Sequence, residues 1–404
     1  MNVLMLVITT VATDTRVVRE AATLAAAGHD VHIIGRGVPG DWLPPPGVTV
    51  SSADGASVFA TSRAALGGGP APTGAPPGTP AAPQGPMPPY RRAARWMLLP
   101  QHRASAFAAW TRSARRDAAD RVFDAVHAHD FNTLVLGAEL ARQRGVPLVY
   151  DSHELWSGRP RVGRPTPLLA AREARIEGEL GREAAAVLTV GEGVANALRG
   201  RYGWRHVSVV HNTFPRGTAA AAVPLPDRPT GAVYAGRIAP YREIETIVAA
   251  ARDLPGLDVT LVGPADDTYL GELDRGPVAV EAALPVDEVD ALLRRTGLAL
   301  VTHSDRWENH RLAMPNKLFH AVRAGVPVVA TDVRELARVV REHGLGTLYR
   351  PGDAASLAAA VREACERYPE LTANVRAAEP RLSWEHDAAT LTGVYARLGA
   401  GRTA

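Results

Sequence analysis

Short apolar runs alternate with helix-spaced stretches along almost the whole chain, and no other feature narrows the fold as much. Residues 2–10 form one such run. ATDTRVVREAATLAAAGHD follows with Val17, Val18, Ala21, Leu24 and Ala25 at helical spacing, Gly28 and His29 close that helix, and residues 31–34 make a second strand. Strand, helix and strand in this order predict a βαβ unit, whose crossover is right-handed and whose ligand edge lies at the carboxyl ends of the strands. Thr10, Thr13, Asp14 and Arg16 fall on that edge, where Thr13 and Asp14 serve either as helix caps or as ligand contacts. With 404 residues the chain exceeds one ordinary core, so two α/β domains are expected.

Composition removes several function classes. A net charge of +3 is no nucleic-acid footprint, and Cys365, the sole cysteine, excludes intrachain disulfides and cysteine-based metal clusters. No apolar run reaches membrane-spanning length, and MNVLMLVITT lacks the basic leader and cleavage site of a signal peptide, so a cytoplasmic location is expected. Residues 67–89 are almost wholly Gly, Pro, Ala and Thr and predict a disordered loop. The arginine-rich segment 91–121, interleaved with Trp96, Met97 and Leu98, reads either as a helix with a solvated basic face or as a peripheral contact with a membrane or an acidic acceptor.

Strands predicted at 123–127 and 146–150 run into HAHD and DSHEL. Parallel strands that end this way bring His129, Asp130, His153 and Glu154 to one edge, where each histidine is either structural or part of a site. A helix at 168–182 and strands at 186–190 and 207–211 complete a first domain ending at 213, and 214–230 reads as a linker. The pattern then restarts with a strand at 232–235, the loop GRIAPYR, a helix at 243–251 and strands at 257–262, 278–282 and 298–302. Arg237 and Arg242 fall on the ligand edge of this second sheet.

The segment 308–332, ENHRLAMPNKLFHAVRAGVPVVATD, predicts a polar loop, a helix and a buried strand. Pro315 suits a helix start, which places Asn316, Lys317 and His320 on the first turn, and Gly325 with Pro327 stops the helix. Lys317 is the single lysine among 45 basic residues. An ammonium beside the unbonded N–H groups of a helix N-terminus suits phosphate; the bland alternative is a solvated surface charge. Together with Arg237 and Arg242 it would converge on a diphosphate.

On DTRVVREAATLAAAGHDVHII, VFDAVHAHDFNTLVLGAELARQRGVPLVYDSHEL, GRIAPYREIETIVAAA, MPNKLFHAVRAGVPVVATD and SWEHDAATLTGVYARL, the chain resembles retaining family-four glycosyltransferases of the GT-B fold, in the branch carrying a PNKLF motif. The resemblance implies two Rossmann-like domains facing each other across a cleft: an acceptor domain 1–213, a nucleotide-sugar donor domain 231–382, and a C-terminal helix 383–404 that crosses back. It also implies that Arg237 and Arg242 bind the donor diphosphate and that His129 lies near the sugar and leaving group, making these three with Lys317 the catalytic set. Thr13, Gly263, Leu284, Asn316, Leu318 and His320 join Lys317 on the donor, and Asp130, His153 and Glu154 stand on the acceptor side. His320 departs from the pattern, because most relatives carry there the second glutamate of a Glu-x7-Glu pair that holds the nucleotide ribose, and Leu312 stands at the first.

The expected function is transfer of a hexose-type sugar from a nucleoside diphosphate to a hydroxyl of a small molecule or lipid. The alternatives are a nucleotide-sugar 2-epimerase, which needs no acceptor, and a non-catalytic nucleotide-sugar-binding partner. No cofactor and no metal are expected, since the three cations would replace one; the co-substrate is a UDP or GDP sugar.

Overall fold

The structure, a computed structural model, describes residues 1–53, 89–159, 165–217 and 219–400. It divides into two compact units, 1–187 with 398–404 and 188–397. The elements of the first sheet are β1 (Asn2–Thr10), α1 (Thr15–Ala26), β2 (Asp30–Arg36), β3 (Val48–Ser52), α2 (Pro89–Ala119), β4 (Ala125–His129), α3 (Asp130–Arg144), β5 (Leu148–Ser152), α4 (Pro167–Glu183), β6 (Ala186–Thr189), α5 (Glu192–Tyr202) and β7 (Val207–Val209). The strand order is β3-β2-β1-β4-β5-β6-β7. A parallel sheet covered on both faces demands unbroken apolar strands, and β1 complies by burying Val3, Leu4, Met5, Leu6 and Val7 in succession. β4 and β5 are equally buried yet contain His127, His129, Asp151 and Ser152, so the polar groups at their carboxyl ends must find partners inside the protein. The strand order reverses between β1 and β4, which is where a doubly wound sheet opens a crevice.

The second sheet follows the same plan. Its elements are β8 (Gly231–Ala235), α6 (Ile244–Ala251), β9 (Asp258–Val262), α7 (Asp267–Glu272), β10 (Ala279–Glu281), α8 (Val286–Thr296), β11 (Gly297–Val301), α9 (Glu308–Leu312), α10 (Asn316–Ala324), β12 (Val328–Thr331), α11 (Arg334–His343), β13 (Gly346–Tyr349), α12 (Ala354–Glu366), α13 (Tyr368–Ala378) and α14 (Trp384–Ala400). The parallel order β10-β9-β8-β11-β12-β13 reverses between β8 and β11. α10 is anchored by Leu318, Phe319 and Val322, all fully or almost fully buried with Leu293 and Val340, and it ends at Gly325, whose φ of 73° a side chain would oppose. Burying a side chain of this size contributes about 1.5–3 kcal/mol, so the first turn of α10 has a fixed platform.

Several expectations need correction. β4 and β5 end two residues later than predicted, because His129, Asp151 and Ser152 are buried in the strands, where Asp151 bonds Arg16 of α1 and His129 of the neighbouring strand. Residues 308–312 form a helix and not a loop, since Asn309 and Leu312 turn inward. The stretch 214–230 is tied down as well: it contains a 3-10 turn at Ala219–Ala222, and Arg294 Nε donates to the Val223 carbonyl at 2.7 Å. The Gly/Pro tract lies outside the described residues except for Pro89, which opens α2. Among the described residues, no helix is long and apolar enough to cross a membrane.

Candidate functional site

In the first unit the carboxyl ends of β4 and β5 meet the first turn of α1 in a closed network. Arg16, one residue into α1 after its cap Asp14, sends Nε and Nη2 to the two oxygens of Asp151 at 2.8 and 2.7 Å, and Nη2 lies 3.0 Å from Glu20. Asp151 Oδ2 also accepts from His129 Nδ1 at 3.2 Å and from His153 Nε2 at 2.9 Å. On its other side His153 meets Asp130, with Nδ1 3.3 Å from Oδ2 and the backbone N–H 3.2 Å from Oδ1. Asp130 adopts φ 63° to reach this position, an unusual conformation for a residue with a Cβ.

The charges in this network close on themselves. Burial opposes ionisation of Asp151, but the Arg16 and His153 cations outweigh it and hold the carboxyl well below its usual range. His153 is likewise opposed by burial, and Asp130 with Asp151 raises it well above an ordinary histidine. Burial lowers His127 and His129 and lifts Glu20 to about 8, leaving these three uncharged near neutrality. Two cations therefore face two anions. Ligand atoms of Glu20, His127, His129 and Asp151 lie within 4.8 Å of one another, a donor set that would suit a metal, but the Arg16 guanidinium already contacts both the Asp151 carboxylate and the Glu20 carboxyl group.

The second unit has the opposite character. A cavity of about 430 Å³ opens at the switch point between β8 and β11, lined by Gly236, Arg242, Gly263, Leu284, Val286, Val289, His303, Asn316, Lys317 and His320 among others. Its floor is backbone: a Cβ at Gly263, whose φ is 144°, would lie 2.1 Å from the Gly236 carbonyl oxygen. Lys317 stands over the Tyr234 ring at 5.0 Å. Pro315, the N-cap of α10, supplies no side-chain acceptor to the first turn. Among the described residues neither Lys317 nor Arg242 forms an ion pair. Burial and the neighbouring Arg242 lower Lys317 to about 7, while burial, Lys317, His310 and Arg242 push His303 down to about 3. The cavity thus offers basic side chains and a neutral His303, with no acidic residue in its lining.

Of the residues singled out in the sequence, Arg242, Gly263, Leu284, Asn316, Lys317 and His320 line this one cavity. Arg237 does not join the lining and is exposed on the loop after β8, where its carbonyl accepts from the Tyr234 hydroxyl at 2.9 Å. Leu318 needs correction: its side chain is fully buried in the core and its N–H bonds the Pro315 carbonyl at 2.9 Å, so neither reaches the cavity. In the first unit His129, Asp130 and His153 cluster, Glu154 faces Arg159 at 3.5 Å, and Thr13 is exposed with its hydroxyl on the Thr10 carbonyl at 3.0 Å. Sequence reasoning missed Glu20, Asp290 and His303. The first two carried a signal, since each is an acid within an apolar helical stripe, Glu20 between Val17 and Ala21 and Asp290 between Val289 and Leu293.

Residues 14–215 match the family model described as glycosyltransferase family 4, and residues 229–367 match that of glycosyl transferases group 1. A D-inositol 3-phosphate glycosyltransferase from Nocardioides is 30% identical over 71% of this chain and 70% of its own length. A glycogen synthase from Mycobacterium tuberculosis is 26% identical over 68% of each chain. Among solved structures, sucrose-phosphate synthase from Thermosynechococcus elongatus superposes with a TM-score of 0.70 at 17% identity, covering 99% of this chain and 100% of its own. Anabaena HepE in complex with UDP-glucose gives 0.64 at 15% identity, covering 98% and 100%.

Proposed function

The chain belongs to glycosyltransferase family 4 and has the GT-B fold of two parallel-sheet α/β domains, and from that premise we propose that it moves a hexose-type sugar from a nucleoside diphosphate to an acceptor hydroxyl with retention at the anomeric carbon. The single observation that carries the proposal is the second-unit cavity, where Lys317 and Arg242 stand without anionic partners at the uncapped start of α10. Such cations, held in place before the reaction, stabilise charge as it develops on a departing diphosphate. Arg237 reaches the same group by rotation of its exposed side chain. In the first unit His129 is the proposed sugar-side histidine. The MPNKLF segment at the start of α10 supports the PNKLF branch.

The reaction needs no divalent metal in this reading, because Lys317 and Arg242 occupy its electrostatic role and Arg16 that of a cation in the first unit. UDP is the first donor nucleotide to test, given the UDP-glucose complex of the Anabaena neighbour, with GDP beside it. The acceptor is a small molecule or a lipid, and the basic segment 91–121 is the proposed peripheral membrane contact of a cytoplasmic enzyme.

The test incubates the protein with UDP- and GDP-hexoses and a panel of hydroxyl acceptors, with and without EDTA, and reads the product anomer by NMR. Transfer with the donor's anomeric configuration, unaffected by EDTA, is expected. Inverted product, or a rate abolished by EDTA, overturns retention or metal independence respectively. Epimerised donor in the absence of acceptor, or tight binding with no turnover, replaces the transferase reading.

A further inference from the structure

We propose that Arg306, held against the rings of Tyr241 and Trp307 beside the second-unit cavity, binds a carboxylate on the hexose of the nucleotide sugar, so that the sugar moved is a uronic acid. The inference rests on the nucleotide-sugar reading above and names the class of sugar that this unit selects.

Two loops at the carboxyl edge of the second sheet carry these residues, 236–243 after β8 and 302–307 after β11. Both are pinned. Thr302 Oγ1 donates to the Arg242 carbonyl at 2.8 Å, the His303 N–H to Thr331 Oγ1 at 2.8 Å, the Arg306 N–H to the buried Ser304 Oγ at 3.1 Å, and the Gly352 N–H to the Glu243 carboxylate at 2.6 Å. Tyr241 and Glu243 take φ 66° and 62°, a conformation that a Cβ disfavours and that lasts only where the surroundings enforce it. Between them Arg242 lines the cavity, while Tyr241 is 54% exposed. Glycine would make this turn without strain, yet the chain keeps an aromatic ring there.

That ring ends a row of aromatic contacts that starts in the cavity. His303, part of the lining, lies 4.7 Å from His310; Trp307 stands edge-on to His310 at 4.7 Å, and Tyr241 edge-on to Trp307 at 5.6 Å. The Arg306 guanidinium carbon is 4.8 Å from the centre of the Tyr241 ring and 5.2 Å from that of Trp307. Stacking of this kind engages the face of a guanidinium and leaves its N–H groups along the edge, the fork that meets a carboxylate with two parallel bonds. The chain supplies no such carboxylate: among the described residues Arg306 forms no ion pair, and Glu308, two positions on, faces Arg201 at 3.5 Å.

The chemistry of the ligand decides which anion completes the fork. Arg242 and Lys317 line the cavity and meet the diphosphate, whereas Arg306 stands outside the lining, next to Tyr241, and meets a group attached to that diphosphate. A diphosphate has two such attachments. The nucleoside carries no acid of its own, and a neutral hexose would leave the fork empty. A hexose oxidised at its terminal carbon carries one carboxylate, the partner a forked cation selects.

The experiment measures dissociation constants by calorimetry for UDP, UDP-glucose and UDP-glucuronate, and for GDP, GDP-mannose and GDP-mannuronate, on the wild type, Arg306→Gln and Arg306→Lys. Arg306 is exposed, so neither substitution disturbs the core. With the nucleotide that binds, the wild type is expected to prefer the uronate over the neutral sugar by about tenfold or more, the size of a charge-assisted hydrogen bond. Arg306→Gln should reduce the preference to about twofold or less. Arg306→Lys keeps the charge but not the stacked fork, and should keep only a minor part of it. A wild type that binds both sugars alike overturns the inference, as does a preference that survives Arg306→Gln. A preference fully kept in Arg306→Lys also overturns it, since general attraction to positive charge would then suffice. Binding of UDP or GDP without a uronate preference sinks this inference alone; if neither nucleotide nor any of the four sugars binds, the nucleotide-sugar reading itself falls.

Discussion

The two switch points of this molecule both gather charged and titratable side chains and treat them in opposite ways. At β1/β4 the ionised groups of the network meet their counter-charges within the protein: Arg16 on Asp151, His153 between Asp151 and Asp130. At β8/β11 Lys317 and Arg242 face a cavity with none. A closed set of charges rigidifies the strand ends it joins, whereas an open set waits for a ligand to complete it. The same strand-helix architecture can therefore supply a scaffold at one switch point and a receptor at the other. What differs is whether the acids come from the chain or from the substrate.

The largest effect should come from opening the closed set. Asp151→Ala leaves Arg16 and His153 without their shared carboxylate in a fully buried position, and we expect a loss of about 3–5 kcal/mol, seen as a shift of the denaturant midpoint. A midpoint unchanged from the wild type would show the network to be dispensable. Next, Lys317→Ala and Arg242→Ala should each lower turnover about 10²-fold with little change in thermal stability, the pattern of a receptor and not of a scaffold. Arg237→Ala is expected to match them; a wild-type rate would take that residue out of the site.

Titration separates the two regions further, and in opposite directions. Lys317 sits at about 7 in the folded chain, so nucleoside diphosphate binding above that pH should take up a proton. Affinity should fall by up to about tenfold per pH unit above 7, with calorimetric enthalpies that differ between HEPES and Tris in proportion to buffer ionisation. Affinity constant from pH 7 to 9 would break this. For stability, the unfolded chain holds the Lys317 proton more tightly, so this residue's contribution rises from pH 7 towards 10.5. Glu20 runs the other way: its folded value of about 8 exceeds the ordinary 4.5, so its contribution is full below 4.5 and declines up to pH 8. A Glu20→Gln variant is therefore expected to melt with the wild type at pH 4.5 and above it at pH 8.5. A constant offset at both pH values would show that Glu20 does not titrate in this window.

The contrast between the regions also explains what could be read from residue order alone. β1 was legible because an unbroken apolar run has few other places to go, and α10 because Pro315 and Gly325 mark its ends. β4 and β5 were placed early because His129, Asp151 and Ser152 look like loop residues until their partners are known, and those partners are supplied from α1 and from the neighbouring strand. The cations of the cavity were visible as a lone lysine and a pair of loop arginines. Asp290 stands inside the apolar stripe of an amphipathic helix, between Val289 and Leu293, a weak signal because an acid in such a helix is ordinarily assigned to the solvent face. Arg237 and Arg242 are close in the same loop, but sequence distance does not tell which side chain turns inward.

The solitary lysine has a practical consequence. An amine that is partly unprotonated near pH 7 is a nucleophile, and this chain has only one side-chain amine to offer. Acylating reagents used at neutral pH would mark Lys317 without competing labelling of other lysines. The extent of that labelling by mass spectrometry, with and without nucleotide, would then report directly on whether the cavity is filled.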